Sequence, residues 1–201
     1  MNTVLPYLDS VTGLLGTLNS LVRLSQGQQE QCRQIFHPRR FAKKQVLLNV
    51  GEIWDEIFFI TSGAVRLFYT TEDGREFNKG FFFEQQFTWP IVPIAHNEPS
   101  RFTIATMQDT EILAADFQVF QSLLQRFSCW EKFALPQAEW LAEQKVIREA
   151  EFLLDAAEQR YLRFTEEYGT YLDRIPDYHI ASYLGITNVS LSRIRKKLQT
   201  C

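Results

Sequence analysis

The stretch HIASYLGITNVSLSRIRKKL, His179 to Leu198, reads as two short helices joined by a tight turn. In the first helix Ile180, Ala181 and Leu184 share one face, at i, i+1 and i+4. Gly185 follows at once and supplies the positive φ that a sharp helix exit needs. Ile186 is apolar, so the turn itself is pinned to a core. Thr187 stands where its hydroxyl can accept a bond from a free N–H of the next helix. In that helix Leu191, Ile194 and Leu198 recur at i, i+3 and i+7 and bury one stripe. Asn188, Val189, Ser192, Arg193 and Lys196 face the other way. Small Ala181 lets the two axes approach. The arrangement is a helix-turn-helix whose second helix offers its N-terminal half outward.

That geometry points to double-stranded DNA, because a major groove admits a helix and side chains near the helix start reach base edges. Arg193 carries a planar fork that matches the two acceptors of guanine, and Asn188 can pair with adenine in the same manner. Val189 suits a thymine methyl. Ser190 and the helix start suit a phosphate, with Thr187 at the entry. Arg195, Lys196 and Lys197 then supply cations for the backbone. The same residues also fit an ordinary antiparallel helix pair with a solvated basic face. The coincidence of Ala181, Gly185, Leu191, Ile194 and an Arg-rich outer side favours the DNA-reading arrangement. His179 is expected at the surface or on the phosphate side.

The charge distribution agrees. The chain has 201 residues and a formal net charge of −3. From Arg174 onward, five cations (Arg174, Arg193, Arg195, Lys196, Lys197) face one acid, Asp177. A basic tail on an acidic body is the footprint of a small DNA-binding module. No apolar run approaches the roughly 20 residues needed to span a bilayer. The start, MNTVLPYLDS, lacks the cationic lead and apolar core of a signal peptide, so a cytoplasmic location is expected and no membrane partner. Cys32, Cys129 and Cys201 are far apart, are odd in number and form no Cys-x-x-Cys, so reduced thiols are expected.

Upstream, Leu14, Leu15, Leu18, Leu21 and Val22 recur at helical spacing. Ser25 with Gln28 has capping-box form, and the helix it starts should stop before Pro38. From Phe41 to Asp116 the period changes to two. Val46–Leu48, Ile57–Ile60, Val65–Tyr69, Arg75–Phe83, Phe102–Ala105 and Ile112–Ala114 read as short strands. Gly51, Thr61-Ser62-Gly63 and the hairpin signal Asp73-Gly74 punctuate them. Such a series indicates a small β-barrel or jelly roll. Asp116 should cap a helix running through Leu124 and Phe127. From Trp130 to Leu154 a wide apolar stripe, broken by Lys145, Arg148 and Glu149, describes one long helix. Pro136 lies near its start, where a helix tolerates it or kinks. Asp155 with Glu158 forms a second capping signature, and Gly169 should end the helix that follows.

The segments "IASYLGITNVSLSRIRKKL", "REAEFLLDAAEQRY" and "IWDEIFFITSGAVRLFYT" together resemble the Crp/Fnr-type transcription regulators, over about Ser25 to Leu198. The resemblance implies an α+β chain in three parts. Residues 1–127 would form a cyclic-nucleotide-binding-like barrel with flanking helices. Residues 128–154 would form a dimerisation helix, with Trp140, Leu141 and Ile147 at the interface. Residues 155–201 would form an all-α helix-turn-helix domain, without the β wing of many relatives. It also implies a base-contacting residue at Arg193. The partners implied are a near-palindromic DNA operator, a second copy of the chain, RNA polymerase and a small-molecule effector.

Cyclic-nucleotide binders of this family hold the phosphate with a Gly-Glu helix start and a following Arg-Ser or Arg-Thr. The matching positions here are Phe83, Glu84 and Gln85, then Ser100 and Arg101 in reversed order, with Phe102 beside them. These five residues form the candidate effector pocket, and its departures argue against cyclic AMP. Phe81, Phe82, Phe83, Phe87 and Trp89 could line an apolar pocket for some other effector, but fit the barrel core better. Some relatives carry an iron–sulfur cluster, which normally takes four thiolates; Cys32 alone lies in the corresponding region, so no such cofactor is expected. The three histidines are scattered, and neither a metal nor a catalytic constellation is expected. A signalling module acting through protein contacts and a cupin-like barrel enzyme remain as alternatives. The Arg193–Lys197 cluster disfavours the first. The lack of clustered metal ligands disfavours the second.

Overall fold

A computed structural model describes residues 4–199, with side chains from Ser10 onward. Met1 to Thr3, Thr200 and Cys201 therefore lie outside the described residues. Eight helices and eight strands follow in chain order among these residues. Helices α1 (Val4–Val22) and α2 (Gln26–Ile35) precede strands β1 (His37–Phe41), β2 (Val46–Leu48), β3 (Glu56–Ser62), β4 (Val65–Thr70), β5 (Glu76–Phe82) and β6 (Phe87–Thr88). A short α3 (Pro93–Asn97) leads to β7 (Thr103–Thr106) and β8 (Thr110–Asp116). Then come α4 (Phe117–Arg126), α5 (Trp130–Leu154), α6 (Ala157–Tyr168), a 3₁₀ turn (Gly169–Arg174), α7 (Asp177–Leu184) and α8 (Asn188–Gln199).

The strands form two four-stranded sheets, ordered β1-β8-β3-β6 and β2-β7-β4-β5. The fold is thus mixed helix and sheet, and sandwich-like. Of the two arrangements expected from the strand series, a small barrel or a jelly roll, the closed barrel is not formed. Closure needs long edge strands to carry a continuous ladder, whereas β6 has two residues and β2 has three, with a register shift between Val46 and Leu48. Strand β1 lies at a sheet edge, which accommodates Pro38 because it donates no ladder bond. Its Arg40 pairs with Glu111 directly opposite, at 2.9 Å.

The chain divides into two compact units, Met1–Arg66 with Phe81–Trp140, and Leu67–Gly80 with Leu141–Cys201. In the first, helices α1, α2, α4 and the start of α5 pack on one face of the β3/β8 sheet. Ile57 and Phe59 of β3 point into that core beside Leu113 of β8. Phe133 of α5 meets Phe87 at 5.4 Å and Phe120 at 5.1 Å, both edge to face. Burying a ring of this size stabilises by roughly 1.5–3 kcal/mol. Phe83, Phe87 and Trp89 are buried as expected of core residues. The Trp89 indole N–H donates to Gln137 at 3.0 Å. Helix α5 continues through Pro136, and the Gln137 side chain donates to the Phe133 carbonyl one turn back.

The caps follow local chemistry. Ser25 and Gln28 form the expected reciprocal box. The Asp116 carboxylate accepts from Val119 N–H at 2.8 Å. At α6 the expected Asp155–Glu158 signature is displaced by one residue. Helix α6 starts at Ala157, and the reaching side chain is Gln159, which accepts from Ala156 N–H. Helix α6 ends at Tyr168 with Gly169 as its cap, as expected, but the Gly169 φ of −48° is right-handed rather than left-handed, and the chain tightens there into the 3₁₀ turn. Gly63, at φ +100°, joins β3 to β4 where a Cβ would stand 2.5 Å from Thr110 Oγ1 and 2.7 Å from the Asp109 carbonyl oxygen. No side chain fits there.

Cys32 and Cys129 are buried free thiols, and burial pushes the Cys32 thiol up to about 12, well away from thiolate chemistry. No helix among the described residues is long and apolar enough to cross a membrane.

Candidate nucleic-acid interface

In the second unit, Phe164 of α6 stacks near Tyr168 and Tyr183, and Ile175, Ile180, Ala181, Leu184 and Leu191 are buried with them. This small core fixes α7 and α8. Helix α7 ends at Gly185, in the left-handed region at φ 68°. Ile186 N–H reaches back to the Ala181 carbonyl at 3.0 Å and Gly185 N–H to that of Ser182 at 3.3 Å, which satisfies the last carbonyls of the helix. A Cβ on Gly185 would also stand 2.9 Å from the Phe152 ring.

Thr187 opens α8. Its hydroxyl accepts from Ser190 N–H at 3.1 Å and lies 2.9 Å from the Ser190 hydroxyl. Thr187 and Ser190 are therefore engaged in the cap. Leu191 is 1% exposed and anchors the helix from behind. Asn188, Val189, Ser192 and Arg193 are exposed together on the N-terminal half, and Val189 is 59% exposed despite being apolar. Lys196 is exposed one turn further on.

Two of the cations expected on the outer face do not point outward unaccompanied. Arg195 donates to Asp177 at 2.7 Å and to the Tyr161 hydroxyl at 3.0 Å. It ties α8 to α6 and α7. Lys197 pairs with Glu158 of α6. His179 is likewise not at the surface: it is 7% exposed. Its Nδ1 lies 3.2 Å from Asn78 Nδ2 of β5, and the same amide donates to the His179 carbonyl at 3.1 Å. Beside it, Asn78 N–H donates to Ser182 Oγ, which donates on to the Glu76 carbonyl at 2.6 Å. Helix α7 therefore rests on strand β5.

Sequence reasoning missed Asn78 and Lys79 of β5, and took Arg148 only as a break in the α5 stripe. Arg148 donates to the carbonyls of Asn78 at 3.0 Å, Lys79 at 3.3 Å and Tyr183 at 2.9 Å, and its guanidinium lies 3.8 Å from the centre of the Tyr183 ring. Lys145 and Arg148 stand three apart on an otherwise apolar stripe, and that was the available signal.

The five residues of the candidate effector pocket are mostly occupied with their own backbone. Phe83 is fully buried. The Glu84 carboxylate accepts from Gly63 N–H at 2.7 Å. Gln85 sits at φ 63° in a tight turn, with its N–H bonded to the Ile60 carbonyl. Ser100 Oγ donates to the Phe102 carbonyl at 2.7 Å. Arg101 is exposed. Among the described residues no group of histidine, cysteine and carboxylate side chains could hold a metal ion. Of the expected α5 interface residues, Trp140 is exposed, whereas Leu141 and Ile147 are half-buried within their own chain.

Comparison with known proteins places this architecture. Residues 38–127 match the family described as the cyclic nucleotide-binding domain. The fold is similar to that of a putative transcriptional regulator of the Crp/Fnr family from Eubacterium rectale, with 15% identity over 88% of this chain and 84% of that one, at a TM-score of 0.59. The chain is similar to the c-di-GMP responsive global regulator CLP of Xanthomonas campestris, with 17% identity over 88% of this chain and 92% of that one, at a TM-score of 0.65. It is similar to a mutant of CooA from Carboxydothermus hydrogenoformans, with 20% identity over 91% and 83% of the two chains, also at 0.65. FixK2 of Bradyrhizobium japonicum gives 18% identity over 83% and 85%, at 0.62. No curated protein sequence matches the chain.

Proposed function

We propose that the protein is a homodimeric, sequence-specific DNA-binding regulator of transcription. The observation that carries this reading is the N-terminal half of α8. There Asn188, Val189, Ser192 and Arg193 are presented together to solvent from a helix capped by Thr187 and anchored by Leu191. Helices α7 and α8, with the left-handed Gly185 between them, make a helix-turn-helix. Arg193 and Asn188 supply bidentate donors for guanine and adenine, and Val189 an apolar contact for thymine. Residues 1–127 act as the sensor, 128–154 as the dimerisation helix and 155–201 as the DNA reader. RNA polymerase and an effector other than cyclic AMP are the further partners of this reading. The fold shared with CLP, a regulator of gene expression, supports it.

Selection of bound fragments from random DNA tests it. The expected product is a near-palindrome whose half-sites lie about one helical turn apart, because a two-fold dimer reads the same sequence twice. If DNA is bound with no sequence enriched, α8 does not read bases. If no DNA is retained at low salt, the regulator acts through protein contacts instead.

Cyclic AMP is expected not to bind at the candidate effector residues. Glu84 is committed to Gly63 N–H and Ser100 to the Phe102 carbonyl, so neither is presented to a ribose or a cyclic phosphate. Calorimetric titration should give no heat that depends on Arg101. A micromolar constant abolished by Arg101→Ala would overturn this.

A further inference from the structure

The second unit contains a cavity of about 240 Å³ between β5, α5 and α7. Lys79 of β5 and Lys145 and Arg148 of α5 line it, with Phe77, Phe152 and Tyr183 among its apolar walls. Three cations facing one recess repel each other, and the repulsion is strongest where water is scarce. Burial pushes the Lys79 ammonium down to about 8, and the charges of Lys145 and Arg148 push in the same direction. Burial also lowers Lys145, with Arg148 adding to it and Glu167 opposing. Glu167 is a carboxylate that acts on this cluster, and its own burial holds its pKa above the ordinary value. Tyr183, whose hydroxyl meets Glu167, is pushed up to about 12 by burial and stays neutral. The residues that line the recess include these three cations and no carboxylate.

We propose that this cavity binds a small oxyanion, a phosphate or carboxylate on a compact or apolar group, held by Lys79, Lys145 and Arg148. Arg148 is the fixed element. Its three carbonyl contacts and its stacking on Tyr183 set the plane of the guanidinium, so little is lost in ordering it. The two lysines are flexible arms that close on the anion from β5 and from α5. The volume takes one tetrahedral oxyanion with a short substituent, given that a water occupies roughly 30 Å³. The aromatic walls favour an apolar substituent over a second charge. Because Ser182, Tyr183 and Gly185 border the same cavity, an anion there acts on the end of α7, directly before the turn that carries α8. Binding itself does not depend on α8 reading DNA.

The test is calorimetric titration of the full chain, without DNA, at ionic strength matched with chloride. Inorganic phosphate, phenyl phosphate and acetate are the probes. One site per chain is expected, with phenyl phosphate tighter than inorganic phosphate if the aromatic walls take part. Lys145→Met and Lys79→Met should each weaken binding roughly ten- to a hundredfold, as loss of one charge-assisted bond predicts. Lys145 is exposed at the rim, so its variant should fold normally, which a thermal melt verifies. Arg193→Ala should leave the constant unchanged, since its side chain lies on α8. Sulfate, whose charge is constant over the range, should bind more weakly as pH rises past about 8, where Lys79 loses its proton. Absence of heat beyond the chloride control for all probes would overturn the proposal. So would binding that survives both lysine changes, or binding that disappears with Arg193→Ala.

Discussion

Replacing Val146 and Leu153 together by glutamate is expected to convert the proposed dimer to a monomer and to abolish the tight operator binding proposed for it. Both lie on α5 at the surface of the single chain, 68% and 75% exposed. With Leu135 and Ala142, also exposed, they recur at i, i+7, i+11 and i+18, the spacing of a coiled-coil seam. A second copy of α5 would bury the stripe on both protomers. Four apolar side chains per dimer contribute on the order of 4–8 kcal/mol, so their loss raises the dissociation constant roughly 10³- to 10⁶-fold. Leu141 and Ile147, the residues the sequence pattern favours, are half-buried within the chain. Charges there would damage the fold as well as the interface and blur the result. Sedimentation of the double Val146/Leu153 variant checks the outcome. A dimer that persists, with an unchanged melting temperature, would mean that α5 is not the interface.

How far the fold was legible depended on how local its determinants were. Ser25 with Gln28, Asp116 and Gly185 act within a few residues of themselves, and each does in the structure what its chemistry dictates. The long α5 was legible because apolar residues keep recurring at helical spacing through Trp130–Leu154, although Lys145, Arg148 and Glu149 interrupt them. Strand β1 was not. His37–Phe41 carries no alternation and four of its five residues are exposed, since only the edge ladder to β8 holds it. Barrel closure failed for a related reason: period-two patterning identifies strands but says nothing of which edges meet.

The candidate site divides along the same line. The exposed side of α8 follows from helical periodicity, and Asn188, Val189, Ser192 and Arg193 lie together as spacing requires. Counting cations said nothing of their partners. Asp177 is 18 residues from Arg195, and Glu158 is 39 from Lys197. His179 meets Asn78 across 101 residues, so no local pattern could place it indoors. The recess lined by Lys79, Lys145 and Arg148 was hidden for the same reason, because its charges come from a strand and a helix far apart in sequence.

Arg193→Ala is expected to weaken operator binding by about 1–3 kcal/mol and to relax preference at one base pair per half-site. On scrambled DNA the loss should be much smaller, because the guanidinium contributes there only as one charge among several. Lys196→Ala should behave in the opposite way. On the proposed reading it lies further along α8, where the helix would leave the groove, so it should weaken every sequence alike and reduce the salt slope by roughly one unit. Lys197→Ala should change the slope by less, since its ammonium already rests on Glu158 and a phosphate must compete for it. Such an exposed pair is worth only about 0–1 kcal/mol, so competition is possible but not free. Titrating operator and scrambled DNA at several salt concentrations separates these effects. Should Arg193→Ala weaken both DNAs equally while Lys196→Ala alters sequence preference, the two roles are reversed along α8. Should neither variant alter binding, α8 is not the DNA-contacting surface. The exposed row from Asn188 to Arg193 would then belong to a protein partner.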